Sequence, residues 1–238
     1  MSFDGLNDDK EKAIFLDIAC FFIGMDRKDV IQILNDCGLF AEIGLSVLVE
    51  RSLVVVDKKN RLGMHDLLRD MGREVIHEKM PNEPGMHSRI WNPNEALHIL
   101  KNAKGDQNIE ELALKLSRTE NVDTKAFEKM IKLRLLQLSG VKLVGNFKYI
   151  SRDLRLLSWQ EFPFSDTPKE CDQGNLVAIE LEYNNLTKVW QKAQNDKLEE
   201  DLEPMKSLRT LKAENTGIKQ LPYAWARLKN IGFIFVWL

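Results

Sequence analysis

Over the first eighty residues the spacing of apolar positions changes period and sets out a run of short elements. Ile14, Ile18, Phe21 and Phe22 recur at i, i+4, i+7 and i+8, the stripe of a helix with one buried face that Asn7 or Asp8 can cap and that runs to about Phe22. Asp26 caps a second helix with Val30, Ile33, Leu34 and Cys37 on one stripe, and Gly38 follows where a left-handed C-terminal cap is expected. A third helix carries Leu45, Leu48 and Val49 and ends near Arg51. The period then falls to two: LVVVDKKNRLGMH reads as a hairpin of β-branched residues turning over Asp57 to Asn60. A fourth helix follows, with Asp66 as its cap and Leu67, Met71 and Val75 along its inner side. Three helices, a hairpin and a closing helix make a winged-helix arrangement over residues 1–80.

From Met80 the pattern breaks at PNEPG, and residues 81–108 read as a linker holding one short helix. Asn92 caps that helix, Pro93 takes its first turn and Glu95 completes a capping box. Beyond it one spacing recurs, L-x-x-L-x-L-x-x-x-x-L, with an apolar residue or Asn at the ninth position. Leu133, Leu136, Leu138, Val141 and Leu143 form one clear copy; Leu176, Ile179, Leu181, Asn184 and Leu186 form another. Leu154, Leu157, Trp159, Phe162, Phe164 and Leu208, Leu211, Ala213, Thr216, Ile218 are looser copies. Ile109, Leu112 and Leu114 mark a first strand, and Leu228, Ile231, Phe233, Val236 and Leu238 a last one. The starts lie 24, 21, 22, 32 and 20 residues apart, the spacing of leucine-rich repeats except where QKAQNDKLEED lengthens one turn. Each copy supplies a short strand and a return segment whose leucines are buried only between neighbouring copies, so Leu136, Leu138, Ile179 and Leu181 are expected to point inward and Gln137 and Glu180 to face outward on the concave strand surface. The expected fold is therefore α+β in two parts: a winged helix, then a leucine-rich-repeat solenoid over residues 109–238. FIFVWL ends the chain inside a copy with no polar cap, which reads as truncation at the C-terminus.

Charge and composition narrow what this architecture can do. At 238 residues, 44% hydrophobic and 29% charged, the chain is that of a folded protein, and its net charge of -2 exerts no general pull on nucleic acid or anionic lipid. A winged helix can place its third helix in a DNA groove, but AEIGLSVLVER sets Glu42 and Glu50 against Arg51 alone and lacks a base-reading set of Arg, Asn or Gln. Cys20, Cys37 and Cys171 are far apart and fit neither a disulfide framework nor a zinc site, which suits a reducing compartment. AIFLDIACFFI is interrupted by Asp17 and too short to span a bilayer, so no membrane segment is expected and the sequon at Asn185 is expected to be unused.

Candidate chemistry is sparse. Met64, His65 and Asp66 stand where the hairpin meets the fourth helix, so an imidazole N–H lies beside unpaired backbone donors and both favour an anion. The same two residues would equally serve a hairpin end, with His65, and a helix cap, with Asp66. His77-Glu78 lacks the second histidine of a zinc protease and reads as a helix C-terminal histidine. His87 and His98 lie in the linker without ligand partners. No nucleophile, base and orienting group recur at a catalytic spacing, so enzyme action is not expected.

SFDGLNDDKEKAIFLDIACFF, GMHDLLRDMGREV, SRIW with its capped helix, and LALKLSRTENVDTKAFEKMIKLRLLQL together resemble plant nucleotide-binding leucine-rich-repeat disease-resistance proteins, closest to the subclass with a Toll/interleukin-receptor-like domain. The resemblance covers nearly the whole chain. It implies that the winged helix is the last part of an ADP/ATP (NB-ARC) switch in innate immune signalling and that the repeats give autoinhibition and recognition. It implies that His65 meets the β-phosphate of ADP, that Asp66 holds its helix and neighbours in the closed arrangement, and that Met64 packs in the core. The implied partners are the intramolecular nucleotide-binding domain and a pathogen effector or guarded host protein, with no DNA and no membrane; the implied location is the cytoplasm, with the nucleus as alternative. The chain contains no GxxxxGK[ST] loop and no acidic strand for Mg²⁺, so ADP is expected in the full-length context and not to bind tightly to this chain alone. Two other readings stay open: a stand-alone repeat protein capped by the winged helix, and a DNA-binding adaptor.

Overall fold

The computed structural model describes residues 3–6, 8–79, 87–161, 174–182, 207–214 and 233–237. Asn7, PNEPG, Phe162, Phe164, Cys171, Asn184, the Asn185 sequon, Leu186, the QKAQNDKLEED insertion, Thr216, Ile218, Leu228, Ile231 and Leu238 lie outside those residues. The chain divides into two units, Met1–Trp91 and Asn92–Leu238. This boundary falls inside the segment 81–108 read as a linker. Residues 87–91 belong to the first unit because the Arg89 guanidinium is bound to Asp17 there, and the short helix belongs to the second.

In the first unit, α1 (Asp9–Asp17) is capped by Asp8, whose carboxylate accepts the Lys10 N–H at 2.7 Å. It runs on without a break into a π-helical turn, Ile18–Phe22. The burial is wider than a single stripe: Ile14, Phe15, Leu16, Ile18, Ala19, Phe21 and Phe22 are all buried. Asp26 caps α2 (Arg27–Asp36) by accepting the Lys28 N–H at 2.8 Å, and Gly38 takes φ +78°, the left-handed cap anticipated for it. Along α3 (Ala41–Glu50), Ala41, Leu45 and Leu48 are buried and Val49 half-buried.

The wing is β1 (Val55–Val56) paired antiparallel with β2 (Leu62–Gly63). At its turn the Asp57 carboxylate accepts the N–H groups of Lys59 and Arg61, each at 2.8 Å, and the Arg61 Nε–H at 2.9 Å. Leu62 also exchanges backbone hydrogen bonds with the 24–25 segment, which ties the wing to the start of α2.

Near the end of the unit lies a two-residue strand, β3 (Arg89–Ile90), and before it helix α4 (Asp66–Lys79) departs from the expected inner face. Leu67 is 74% exposed, Met71 and Val75 are half-buried, and Gly72 and Ile76 are the buried positions. A Cβ at Gly72 would stand 2.9 Å from a Phe15 ring carbon and 3.1 Å from the Ala19 Cβ. The helix therefore makes its nearest approach through a residue without a side chain. Counting large side chains at every fourth position picks the neighbouring row instead.

The second unit begins with α5 (Pro93–Lys101), where the Asn92 side chain accepts the N–H groups of Asn94 and Glu95 at 2.9 and 3.3 Å and Pro93 opens the first turn. It packs its buried Ala96, Ile99 and Leu100 face against β4 (Glu111–Asp123). Parallel strands then pair in chain order: β4, β5 (Leu135–Val144), β6 (Leu156–Gln160), β7 (Ala178–Glu182), β8 (Thr210–Glu214) and β9 (Phe233–Trp237). Leu112, Leu136, Leu157, Ile179 and Leu211 are in register, as are Leu114, Leu138, Trp159 and Leu181. All of these are buried, together with the copy-starting Ile109, Leu133, Leu154, Leu176 and Leu208. Trp159 stands at a leucine position because its indole N–H donates to the Val141 carbonyl at 3.1 Å, so the larger ring leaves no buried donor unpaired. Short 3₁₀ turns at Thr124–Phe127 and Phe147–Tyr149 follow β4 and β5.

Two expectations for this unit are corrected. Pairing of Leu211 with Ile234 and of Ala213 with Val236 places the last copy three residues later than Ile231 and Phe233 suggested. The terminal FIFVWL is apolar at nearly every position, so its spacing alone fits either register. Gln137 and Glu180, expected on the outer strand face, do alternate with the leucines but are 5% and 9% exposed. Same-face side chains of adjacent strands crowd one another, and Glu180 accepts a hydrogen bond from Lys212 at 3.0 Å.

Candidate functional site

The wing delivers the chain to α4 through Met64, His65 and Asp66. Met64 is half-buried, and the two residues after it are exposed. His65, rather than Asp66, is the cap of the helix: its Nδ1 accepts the Leu67 N–H at 3.2 Å, and its carbonyl accepts the N–H groups of Leu68 and Arg69 at 2.9 and 3.0 Å. Asp66 is instead the first helical residue, where its carboxylate lies in the favourable end of the helix dipole. It pairs with Arg69 at 2.7 Å, and Arg69 in turn donates from Nε to Asp70 at 2.9 Å. The side chain of Asp66 is 78% exposed.

This arrangement fixes the imidazole tautomer. With Nδ1 serving as acceptor, the proton of the neutral ring is on Nε2, which is left as an outward donor. The junction thus offers one N–H donor beside a helix start. Its neighbours, Asp66 and Asp70 against Arg69, sum to one negative charge, so the site as it stands suits a single contact to an oxyanion and not a full phosphate cradle.

A second feature was visible in the sequence only as an interruption. Asp17, in the middle of FLDIACFF, is fully buried and accepts from the Arg89 Nε at 2.6 Å and from its terminal nitrogen, while Arg89 also reaches the Ser88 hydroxyl at 3.2 Å. An Asp at a helix position flanked by Leu16 and Ile18 is the signal that could have announced a buried partner, because an isolated carboxylate there is too costly to leave unpaired.

The histidines group differently from the linker reading. His87 is 3% exposed and meets the His77 ring edge-on at 5.0 Å; His77 also meets Trp91 at 4.9 Å, and Arg73 lies 5.9 Å from the Trp91 ring centre. His98 lies on α5, with its Nδ1 3.2 Å from the Asn102 side-chain nitrogen. Among the described residues no helix is long and apolar enough to cross a membrane.

Residues 8–80 match the family described as "Disease resistance protein Roq1-like, winged-helix domain". Over a longer stretch the chain is 36% identical to disease resistance protein RUN1 of Vitis rotundifolia, in an alignment of 216 positions that covers 78% of this chain and 16% of that protein. It is 33% identical to disease resistance protein RRS1 of Arabidopsis thaliana in an alignment of 267 positions that covers 96% of this chain and 19% of that protein. The chain belongs to the plant disease-resistance proteins. As a disease-resistance chain it spans less than a fifth of the length of these relatives. Two of the segments on which the resemblance was drawn, FLDIACFF and SRIW, meet in the Asp17–Arg89 pair of this disease-resistance fold.

Proposed function

We propose that this chain is the regulatory and sensing part of an intracellular plant immune receptor. The winged helix biases an ADP/ATP switch, and the parallel strands of the second unit form a leucine-rich-repeat solenoid that contributes autoinhibition and recognition of a pathogen effector or a guarded host protein. It works by contact with protein and not by catalysis, in the cytoplasm or nucleus. The observation that carries the nucleotide reading is the His65 ring: pinned through Nδ1 to the helix start, it has Nε2–H left to donate to a phosphate oxygen. ADP bound by a neighbouring nucleotide-binding domain would supply that oxyanion, and His65 would add one hydrogen bond to it. In-register buried leucines on successive strands support the solenoid reading.

A hydrogen bond to a charged group contributes about 1.5–3 kcal/mol, or roughly ten- to a hundredfold in ADP affinity. The test joins the chain to a nucleotide-binding domain of the family and compares His65→Ala with His65→Asn. Asn still caps a helix but lacks a donor with the reach of Nε2. Both variants should release ADP roughly tenfold faster or more and signal in plant cells without pathogen. If only His65→Ala does so, the residue acts as a cap alone and the phosphate role fails.

A further inference from the structure

We propose that the outer face of α3 is a docking surface for a protein segment that is apolar at its centre and basic at its border. Helix α3 is apolar on two sides. Its inner stripe, Ala41, Gly44, Leu45 and Leu48, is buried, and a Cβ at Gly44 would collide with the Ile14 side chain, so that side is fully committed to the core. Its outer stripe, Phe40, Ile43 and Val47, repeats at i, i+3 and i+7; Phe40 is 65% exposed, Ile43 72%, and Val47 half-buried. Adjoining exposed apolar residues mark an interaction site more often than isolated ones do.

Phe40 is held ready in its exposed position. It adopts φ 49° and ψ 52°, a left-handed conformation that is strained for a bulky residue. The Asn35 side chain accepts the following N–H of Ala41 at 2.7 Å, Leu39 donates to the Leu34 carbonyl at 3.1 Å, and the Lys10 ammonium lies 3.9 Å from the Phe40 ring centre. Strain that projects an aromatic ring outward, with its backbone fixed, is the arrangement of a preorganised anchor residue.

Charge selects the partner. The exposed residues bordering the stripe include Glu42, Ser46 and Glu50, and α3 itself contains no Lys or Arg. Arg51, next along the chain, is engaged by the Gly5 carbonyl. The cations near the stripe, Lys10 over the Phe40 ring and Arg51 beside the Gly5 carbonyl, lie at the two ends of the helix, and the acidic edge between them does not favour nucleic acid or anionic lipid. An antiparallel pairing of two copies would set Glu42 of one against Glu50 of the other, which is also unfavourable. A segment with apolar anchors flanked by Lys or Arg satisfies both stripe and border.

The probe is a synthetic amphipathic helix with Leu at i, i+3, i+4 and i+7 and Lys elsewhere, beside a twin carrying Glu in place of Lys. Titrated into the 238-residue chain and followed by amide chemical shifts, the Lys peptide should bind one to one with changes centred on residues 39–51. Binding should fall at least tenfold for Phe40→Ser/Ile43→Ser and for the Glu twin, while Glu42→Lys/Glu50→Lys should reverse the peptide preference. Unchanged melting temperatures separate lost docking from lost folding, and the Glu-to-Lys pair decides if the Ser pair does not fold. Failure of the Lys peptide to bind, equal binding to the Ser variant, equal binding of the twin, or a chain dimer that the Ser substitutions dissolve would each overturn the proposal.

Discussion

Arg89→Met is the sharpest test of how the first unit is held together. The Asp17 carboxylate is fully buried and the Arg89 side chain 9% exposed, so neither charge can turn to water when the other is lost. Removing one member of a buried pair costs about 3–5 kcal/mol, most of it for the charge left behind. That is a fifth or more of a typical domain stability of roughly 5–15 kcal/mol. For a unit of this size each kcal/mol moves the melting temperature by about 4–8 °C, so a loss of about 12 °C or more is expected. The assay is thermal and urea unfolding followed by far-ultraviolet circular dichroism, which reports the helices of the first unit. Asp17→Leu/Arg89→Met, which removes both charges and keeps apolar volume, should recover most of the loss, since matched apolar replacements of buried pairs are often neutral or stabilising. An Arg89→Met chain within about 0.5 kcal/mol of the parent, the range of ordinary surface substitutions, would refute the reasoning. So would a double variant no better than the single one.

The wing should show acid sensitivity of its own. The Arg61 N–H above all, with its guanidinium and the Lys59 N–H, holds the Asp57 carboxyl below its ordinary value of 3.8, against a smaller opposing effect of desolvation. A carboxyl depressed in the folded state stabilises the fold above its unfolded value and loses that contribution as pH falls through the lower folded one, so Asp57→Ala should flatten the stability profile below about pH 4 and leave it parallel at neutral pH. In the second unit Leu181→Asp, which buries an unpaired carboxylate, should abolish cooperative unfolding of the strands. Glu180→Lys should also destabilise, by about 1–3 kcal/mol, because it sets two ammonium groups together at Lys212, whereas Glu180→Gln should do less; equal melting temperatures for all three would mean that the strand register is wrong.

Much of the architecture was legible because two signals are local. Caps at Asp8, Asp26 and Asn92 need only one polar side chain two or three residues before the N–H it accepts, and the strand repeat needs only leucines at fixed spacing. What was not legible depends on neighbours in space. The face of α4 was missed because Gly72, not a large residue, marks the nearest approach to Phe15 and Ala19. The burial of Glu180 comes from Lys212, thirty-two residues on. The Asp17–Arg89 pair spans seventy-two residues, and nothing in the local pattern names the guanidinium that answers the carboxylate.

The His65-Asp66 pair shows why residue type alone could not assign roles. Asp is among the strongest N-cap residues and His is not, so preference places the cap at Asp66. The cap, however, belongs to whichever residue immediately precedes the first helical one, and here that is His65. This moves Asp66 into the first turn, where it engages Arg69. The consequence is that the structural and the phosphate-binding readings of His65 are not competitors. An imidazole has two nitrogens: Nδ1 satisfies a helix N–H and thereby orients the ring and assigns its proton to Nε2, the atom that a phosphate would require. The helix cap is then the device that would make the phosphate donor available. An alanine at position 65 removes both functions at once and cannot apportion them, which is why a side chain that caps without reaching the nucleotide has to be set beside it.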